Sequence, residues 1–244
     1  MTAQDISRLL AAKTFQELTT PKPLRQDSRN WQDPEGFRYL FPWSNLVLLR
    51  HLIRLLTSQL PKSEFRRKTQ LDDAGRSSVR NLEEGWKRPT TKEYLEFLGF
   101  TQASLEEVKG DIRELTDDGF LKTVPGSSLT KIGIDLKNFN LSLRESKGGL
   151  KEDKGNLISP SGHPLKSSIK DVKDKFLYHP LTVLYPPLKN VRAQDLSYEI
   201  FFELINKTDY LLRNLVVSLE NKLQKDRKYY QIDQSRLDLK SRGS

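Results

Sequence analysis

Between Thr90 and Gly119 the core-type side chains return every three or four positions without a break: Tyr94, Leu98, Thr101, Leu105, Val108, Ile112 and Leu115. At 3.6 residues per turn this spacing draws one stripe down a single face, so the segment must be a helix packed on other helices. Its ends are marked as well. Thr90 and Glu93 form a Thr-x-x-Glu capping box, and Asp118-Gly119 supplies a stop, because glycine tolerates the left-handed conformation there. Phe97 and Phe100 widen the apolar face.

A stripe of this kind needs partners, and the chain offers three. Leu46, Leu49, Ile53, Leu56 and Leu60 lie on one helical face, with Leu48, Leu52 and Leu55 as a second stripe beside them, until Pro61 interrupts the pattern. A second helix is expected over about Glu64 to Lys87, with Leu71, Ala74, Ser78 and Leu82 inward. Its core side is small: Ala74, Gly75, Ser77 and Ser78 permit a close neighbouring backbone, although Gly75 costs roughly 1 kcal/mol of helix propensity. The last helix is expected from Asp195, as N-cap, to about Arg227, carrying Ile200, Leu204, Thr208, Leu211, Leu215, Leu219 and Leu223. Beyond it, residues 229–244 lose the stripe and are expected to fray.

Residues 123–194 read differently. Gly148-Gly149, Ser159-Pro160, Gly162 and Pro186-Pro187 punctuate them. Within them Ile132, Ile134 and Leu136 alternate, as do Phe139, Leu141 and Leu143, a pattern expected to form a short β-hairpin. The fold expected is therefore all-α, an up-down-up-down four-helix bundle. Residues 1–41 form an N-terminal extension, 42–122 the first three helices, 123–194 a long irregular insertion, 195–228 the fourth helix and 229–244 a tail.

Charge narrows the functional classes. The 244 residues carry a net charge of +9, which favours acidic partners such as nucleic acid. The insertion holds 12 bases against 6 acids, and it therefore contributes most of the excess. Its Lys131, Lys137, Lys147, Lys151, Lys154, Lys166, Lys170, Lys173 and Lys175 could grip nucleic acid or merely solubilise the loop. No apolar run approaches the roughly 18 to 20 residues of a membrane-spanning helix, and Met1 to Lys13 lack a secretory pattern. A cytoplasmic protein is expected.

Catalytic signals are weak. The chain has no cysteine and three histidines, His51, His163 and His179, none at metal-ligand spacing. The carboxylate pairs Glu83-Glu84, Glu106-Glu107 and Asp117-Asp118 are adjacent in sequence, so on a helix they point to different sides. No phosphate-binding glycine loop or nucleophile elbow is present. The expectation is no enzyme, no catalytic residue, no metal and no cofactor.

The second and third helices carry recognisable text. Leu60-Pro61-Lys62, Glu64-Phe65, Thr69-Gln70-Leu71, Ala74, Ser77-Ser78-Val79, Asn81-Leu82 and Glu84-Gly85 come first. Lys92-Glu93-Tyr94, Phe97-Leu98 and Ala103-Ser104-Leu105-Glu106-Glu107 follow in register. This text resembles a bacterial four-helix-bundle family first noticed in reading frames within intervening sequences of large-subunit ribosomal RNA genes. The family includes the accessory variability determinant of diversity-generating retroelements. The resemblance covers Leu46 to Leu121, and reaches the last helix by length and periodicity only. It implies an up-down-up-down bundle that assembles into a ring-like homopentamer and, in the retroelement members, binds nucleic acid and a reverse transcriptase. Arg80 and Glu83 depart from the family pattern by adding charge, and the N-terminal extension and the insertion are further departures.

The expected nucleic-acid-binding residues are Arg50, Arg54, Arg66, Arg67, Lys68, Arg76, Arg80, Lys87 and Arg88. Guanidinium groups make charge-assisted bonds to phosphate, and ring symmetry multiplies a weak patch. The bland alternative is a solvated face, since acids nearly balance bases between residues 42 and 122 and Arg80 can pair with Glu83 or Glu84. Trp86 is expected to seal the core rather than stack on a base. The aromatic group Trp31, Phe37, Tyr39, Phe41 and Trp43 is expected to pack over the bundle or on a neighbouring subunit. A second reading of function is a purely protein-binding assembly factor using Leu48, Leu52, Leu55, Leu212 and Val216 as its interface.

Overall fold

The computed structural model describes residues 33–144 and 181–242, and all of their regular structure is helical. Among the described residues six α-helices follow one another: α1, Phe41–Thr57; α2, Phe65–Trp86; α3, Thr91–Asp117; α4, residues 136–144; α5, the single turn Leu181–Leu184; and α6, Tyr198–Arg242. Of the described residues, 33–144 and 181–223 belong to one compact unit, and 224–242 of α6 to a second.

Local chemistry explains the helix ends. α1 begins at Phe41, five residues before the stripe, because Pro42 lies in its first turn, where the missing amide costs nothing. The capping box at Thr90 forms as expected: its Oγ1 accepts from the Glu93 amide at 3.1 Å while the Thr90 amide donates to Glu93 Oε2 at 3.3 Å. At the other end Gly119 takes φ of 77°. The Phe120 amide then reaches the Leu115 carbonyl at 2.8 Å and the Gly119 amide reaches Thr116 at 3.0 Å, the paired bonds of a Schellman stop.

Cross-helix contacts fix the pairing. Thr57 Oγ1 donates to Asp72 Oδ1 at 2.9 Å near one end of α1, and Trp43 Nε1 donates to Glu83 Oε1 at 3.1 Å near the other, so α1 and α2 run antiparallel. Arg67 with Asp118, and Gln70 with Asp111, set α2 antiparallel to α3. The small residues of α2 do what their size suggests. Gly85 lies so close to α3 that an added Cβ would come within 2.6 Å of Phe97 Cβ.

One core gathers the inward faces. Leu49, Leu52 and Ile53 of α1, Leu71 and Leu82 of α2, Tyr94, Leu98 and Ile112 of α3, and Ile200, Phe201, Leu204 and Leu212 of α6 are all inaccessible within a single apolar cluster. Thr101 and Thr208 join it because each hydroxyl donates to a carbonyl one turn back, Phe97 and Leu204 respectively. Trp86 closes one end, its edge on Tyr94 and its Nε1 bonded to the Asp33 carbonyl at 3.0 Å. Phe37 and Trp43 of the aromatic group are buried edge to face, whereas Phe41 is exposed. Trp31 lies outside the described residues.

Four expectations need correction. The hairpin does not form: Thr130–Ile132 is a 3-10 turn ended by Gly133 at φ 81°, and residues 136–144 are helical. Asp135 starts that helix, its Oδ1 accepting from the Lys137 amide at 2.8 Å. Phe139 and Leu143 are buried one turn apart while Leu141 is exposed, so the alternation was helical spacing seen through three residues. Second, the ends of the insertion belong to the core, which takes in Leu129, Ile134, Phe139 and Leu143 ahead of residue 145 and Tyr185, Leu188 and Val191 after residue 180. Its Lys147, Lys151, Lys154, Lys166, Lys170, Lys173 and Lys175 lie outside the described residues. Third, Asp195 does not cap α6; its Oδ2 accepts from the Arg192 amide at 2.9 Å and closes the 3-10 turn Ala193–Asp195, and α6 starts at Tyr198. Fourth, the tail from Tyr229 is helical as far as Arg242, in a stretch without glycine or proline to stop it.

Leu48, Leu52 and Leu212 are fully buried inside this chain, and Leu55 and Val216 pack against the same core. Leu55 and Val216 keep part of their surface accessible.

Candidate nucleic-acid interface

On α1, Arg50 and Arg54 lie one turn apart, in line with Val47 and His51. On α2, Arg76 and Arg80 lie one turn apart, in line with Glu83 and Lys87. Antiparallel pairing of the two helices turns these lines toward each other. The result is mutual repulsion: Arg50 is held below the ordinary arginine value, first by burial and then by the charges of Arg54, Arg80 and Arg76, with Glu83 alone opposing. Arginine keeps its proton regardless, so the cost is carried as unrelieved positive potential. His51 is lowered from its usual 6.5, first by burial and then by Arg54, which leaves the ring neutral at pH 7.

Beside this face is a cavity of about 580 Å³. Val47, Arg50, His51 and Arg54 of α1 and Arg80 and Lys87 at α2 line it together with Leu143 of α4 and Leu181 and Leu184 of α5. Two acids enter the wall. Glu83 receives the Trp43 indole and stands 3.8 Å from Arg80, and Glu35 stands 3.6 Å from Arg38.

Five of the nine expected residues therefore come together: Arg50, Arg54, Arg76, Arg80 and Lys87. The other four do not. Arg66, Arg67 and Lys68 sit at the start of α2, about 20 Å along its axis from Arg80 at 1.5 Å per residue. Arg67 is committed to Asp118 at 2.6 Å and Glu64 at 3.5 Å, and the hydrogen bond to Asp118 raises its pKa. Arg88 lies against α3, its guanidinium 4.3 Å from the centre of the Phe97 ring.

Sequence reasoning missed Arg38, which lines the same cavity from the turn Gly36–Tyr39. Its neighbours Phe37 and Tyr39 announce packing, and nothing local announces that a cation will be folded in with them. It also missed the apolar wall from Leu143, Leu181 and Leu184. The four-residue spacing of Phe139 and Leu143 was the available signal. Among the described residues no three His, Asp or Glu side chains are placed to hold a metal ion, and no helix is long and apolar enough to cross a membrane.

A separate titratable group sits on α3. Asp111 is buried, with Oδ1 accepting from Gln70 Nε2 at 3.0 Å and Oδ2 without a partner. Burial, then Glu114 and Glu107, push it up to about 6, against the pull of Arg67. A folded value above the ordinary 3.8 means that protonation favours the fold. That contribution is complete below the ordinary value and is lost as pH rises through about 6. Asp111→Asn, which keeps the acceptor for Gln70, is expected to raise stability at pH 7 by on the order of 1 kcal/mol. It should also flatten the rise in stability on acidification toward pH 5, measured by denaturant unfolding at the two pH values.

None of the curated proteins or solved structures compared with the chain matches it. Residues 42–137, from α1 through the start of α4, match the family model described as 23S rRNA-intervening sequence protein, and over that segment the resemblance read from α2 and α3 is shown.

Proposed function

We propose that this chain is a non-enzymatic scaffold that binds nucleic acid, without base specificity, through the facing basic lines of α1 and α2. Its α1, α2, α3 and α6 act as an up-down-up-down bundle, which assembles as a homo-oligomer in the cytoplasm. The observation that carries the reading is the crowding of Arg54, Arg76 and Arg80 about Arg50, with Glu83 as the acid that opposes them there. Uncompensated guanidinium groups gain most from phosphate, because binding replaces repulsion by charge-assisted bonds and releases counterions. The name of the family matched over 42–137 ties its members to ribosomal RNA, which favours RNA over DNA. In an oligomer such as the resemblance implies, the patch repeats around the symmetry axis and its field adds. A reverse transcriptase is the protein partner that the resemblance supplies.

The test is equilibrium binding of a labelled RNA across a salt series. The logarithm of affinity is expected to fall linearly with the logarithm of salt concentration, by about 0.7 per phosphate contact for single strands and 0.9 for duplex DNA. A flat response overturns the reading.

A further inference from the structure

The basic face of α1 and α2 is concave, and this separates it from an ordinary phosphate-binding surface. A volume of about 580 Å³ falls within the range of about 300 to 1,000 Å³ typical of small-molecule sites. Duplex phosphates lie on a convex surface and meet only the rim of such a hollow. A single unpaired nucleotide can enter it.

Two parts of the lining differ in chemistry. Arg50, Arg54 and Lys87 have no carboxylate within ion-pair distance among the described residues; of the acids in the wall, Glu35 pairs with Arg38, and Glu83 receives the Trp43 indole and pairs with Arg80. Leu181 and Leu184, from a different element of the lining, offer hydrocarbon and no charge. Inorganic phosphate would use only the first part and a neutral apolar ligand only the second. A phosphate ester with a flat organic body uses both.

The geometry points to a nucleotide-sized phosphate ester as the occupant of this cavity, its phosphate on Arg50 and Arg54 and its base against Leu181 and Leu184. The assignment rests on the nucleic-acid reading for its choice of ester, and names what that site selects: one unpaired nucleotide, free or within a strand. Duplex RNA would then touch the rim alone, and single strands would be preferred.

Calorimetric titration of the full chain with AMP, adenosine and inorganic phosphate tests it, beside binding of a single-stranded oligoadenylate and an RNA duplex of equal length. AMP is expected to saturate the protein, with adenosine and phosphate each about tenfold weaker or more. Arg54→Gln, at an exposed position, should weaken AMP about tenfold. Leu181→Trp fills the cavity with its charges intact; it should abolish AMP binding and the single-strand preference while duplex affinity stays within about twofold. AMP displacing the oligoadenylate identifies a nucleotide of the strand as occupant; AMP binding without displacement identifies a free nucleotide.

No saturation at about 10 mM AMP, with RNA still bound, overturns the cavity assignment and leaves the scaffold reading intact. AMP binding unaffected by both substitutions overturns it too, since the nucleotide then sits elsewhere. Saturable AMP binding without any affinity for RNA keeps the cavity and overturns the scaffold reading.

Discussion

Replacing Phe201 by alanine is expected to lower the stability of the fold by about 3–5 kcal/mol, the range for truncating a fully buried phenylalanine. Phe201 has no accessible surface, and it shares its cluster with residues of α1, α2 and α3 that lie more than 80 positions earlier. Its loss removes the apolar transfer energy of the ring and leaves a cavity that the clustered Ile200, Leu204 and Ile205 fill only in part. The size of the effect depends on α6 closing the same core as the first three helices. Were α6 a separate rod, the substitution would loosen only that rod, and the cooperative unfolding of the rest would keep its midpoint. Denaturant unfolding decides between these outcomes: one transition displaced to lower denaturant is expected, with an unchanged slope. Tyr210→Ala on the same helix is the control. Its side chain is 66% exposed, and its cost should stay within about 0.5 kcal/mol.

The long return that brings Phe201 home also shows where sequence reading reaches its limit. α3 was legible to the residue because three local signals agree there: the stripe, the capping box at Thr90 and the glycine stop at Gly119. The basic lines were legible for the same reason. Arg50 with Arg54, and Arg76 with Arg80, are spaced for one face, and opposing small residues such as Gly75 bring the helices close. What no local signal encodes is which distant segments finish the wall. Leu143 and Leu184 reach the cavity through tertiary packing across a stretch rich in glycine and lysine. In that stretch three alternating apolar residues fit a strand and a helical turn equally well, and Asp135 decided for the helix by capping it. Asp195 misled in the opposite sense. It has the side chain of an N-cap, yet the 3-10 turn that begins at Ala193 claims it before α6 starts.

Neutralising Arg50, Arg54 and Arg80 together, each to glutamine, is expected to weaken RNA binding about 100-fold at fixed moderate salt, three charge-assisted contacts being lost. The salt slope for a single strand should also shrink, by about 2 at 0.7 per contact. The same three changes should leave the fold intact. Arg50 and Arg54 make no ion pair among the described residues, and the exposed Arg80 makes one long pair, with the partly buried Glu83 at 3.8 Å. Removing mutually repelling charges costs nothing and offsets the loss of that pair, which is worth a few tenths of a kcal/mol. The comparison that gives the result its meaning is a second triple variant with Arg66, Arg67 and Lys68 changed to glutamine. Net charge falls equally in both, so a protein that senses only its total charge responds equally to both. The folded chain does not offer the two groups equally: Arg67 is occupied by Asp118 and Glu64, and its triplet lies at the far end of α2. That variant should lose no more than about fivefold in affinity. Glu83→Gln should act in the opposite direction and tighten binding, because Glu83 is the one acid that offsets the positive field at Arg50. Equal losses from the two triplets would show that phosphate is held by diffuse charge, and that the facing lines of α1 and α2 have no special part in it.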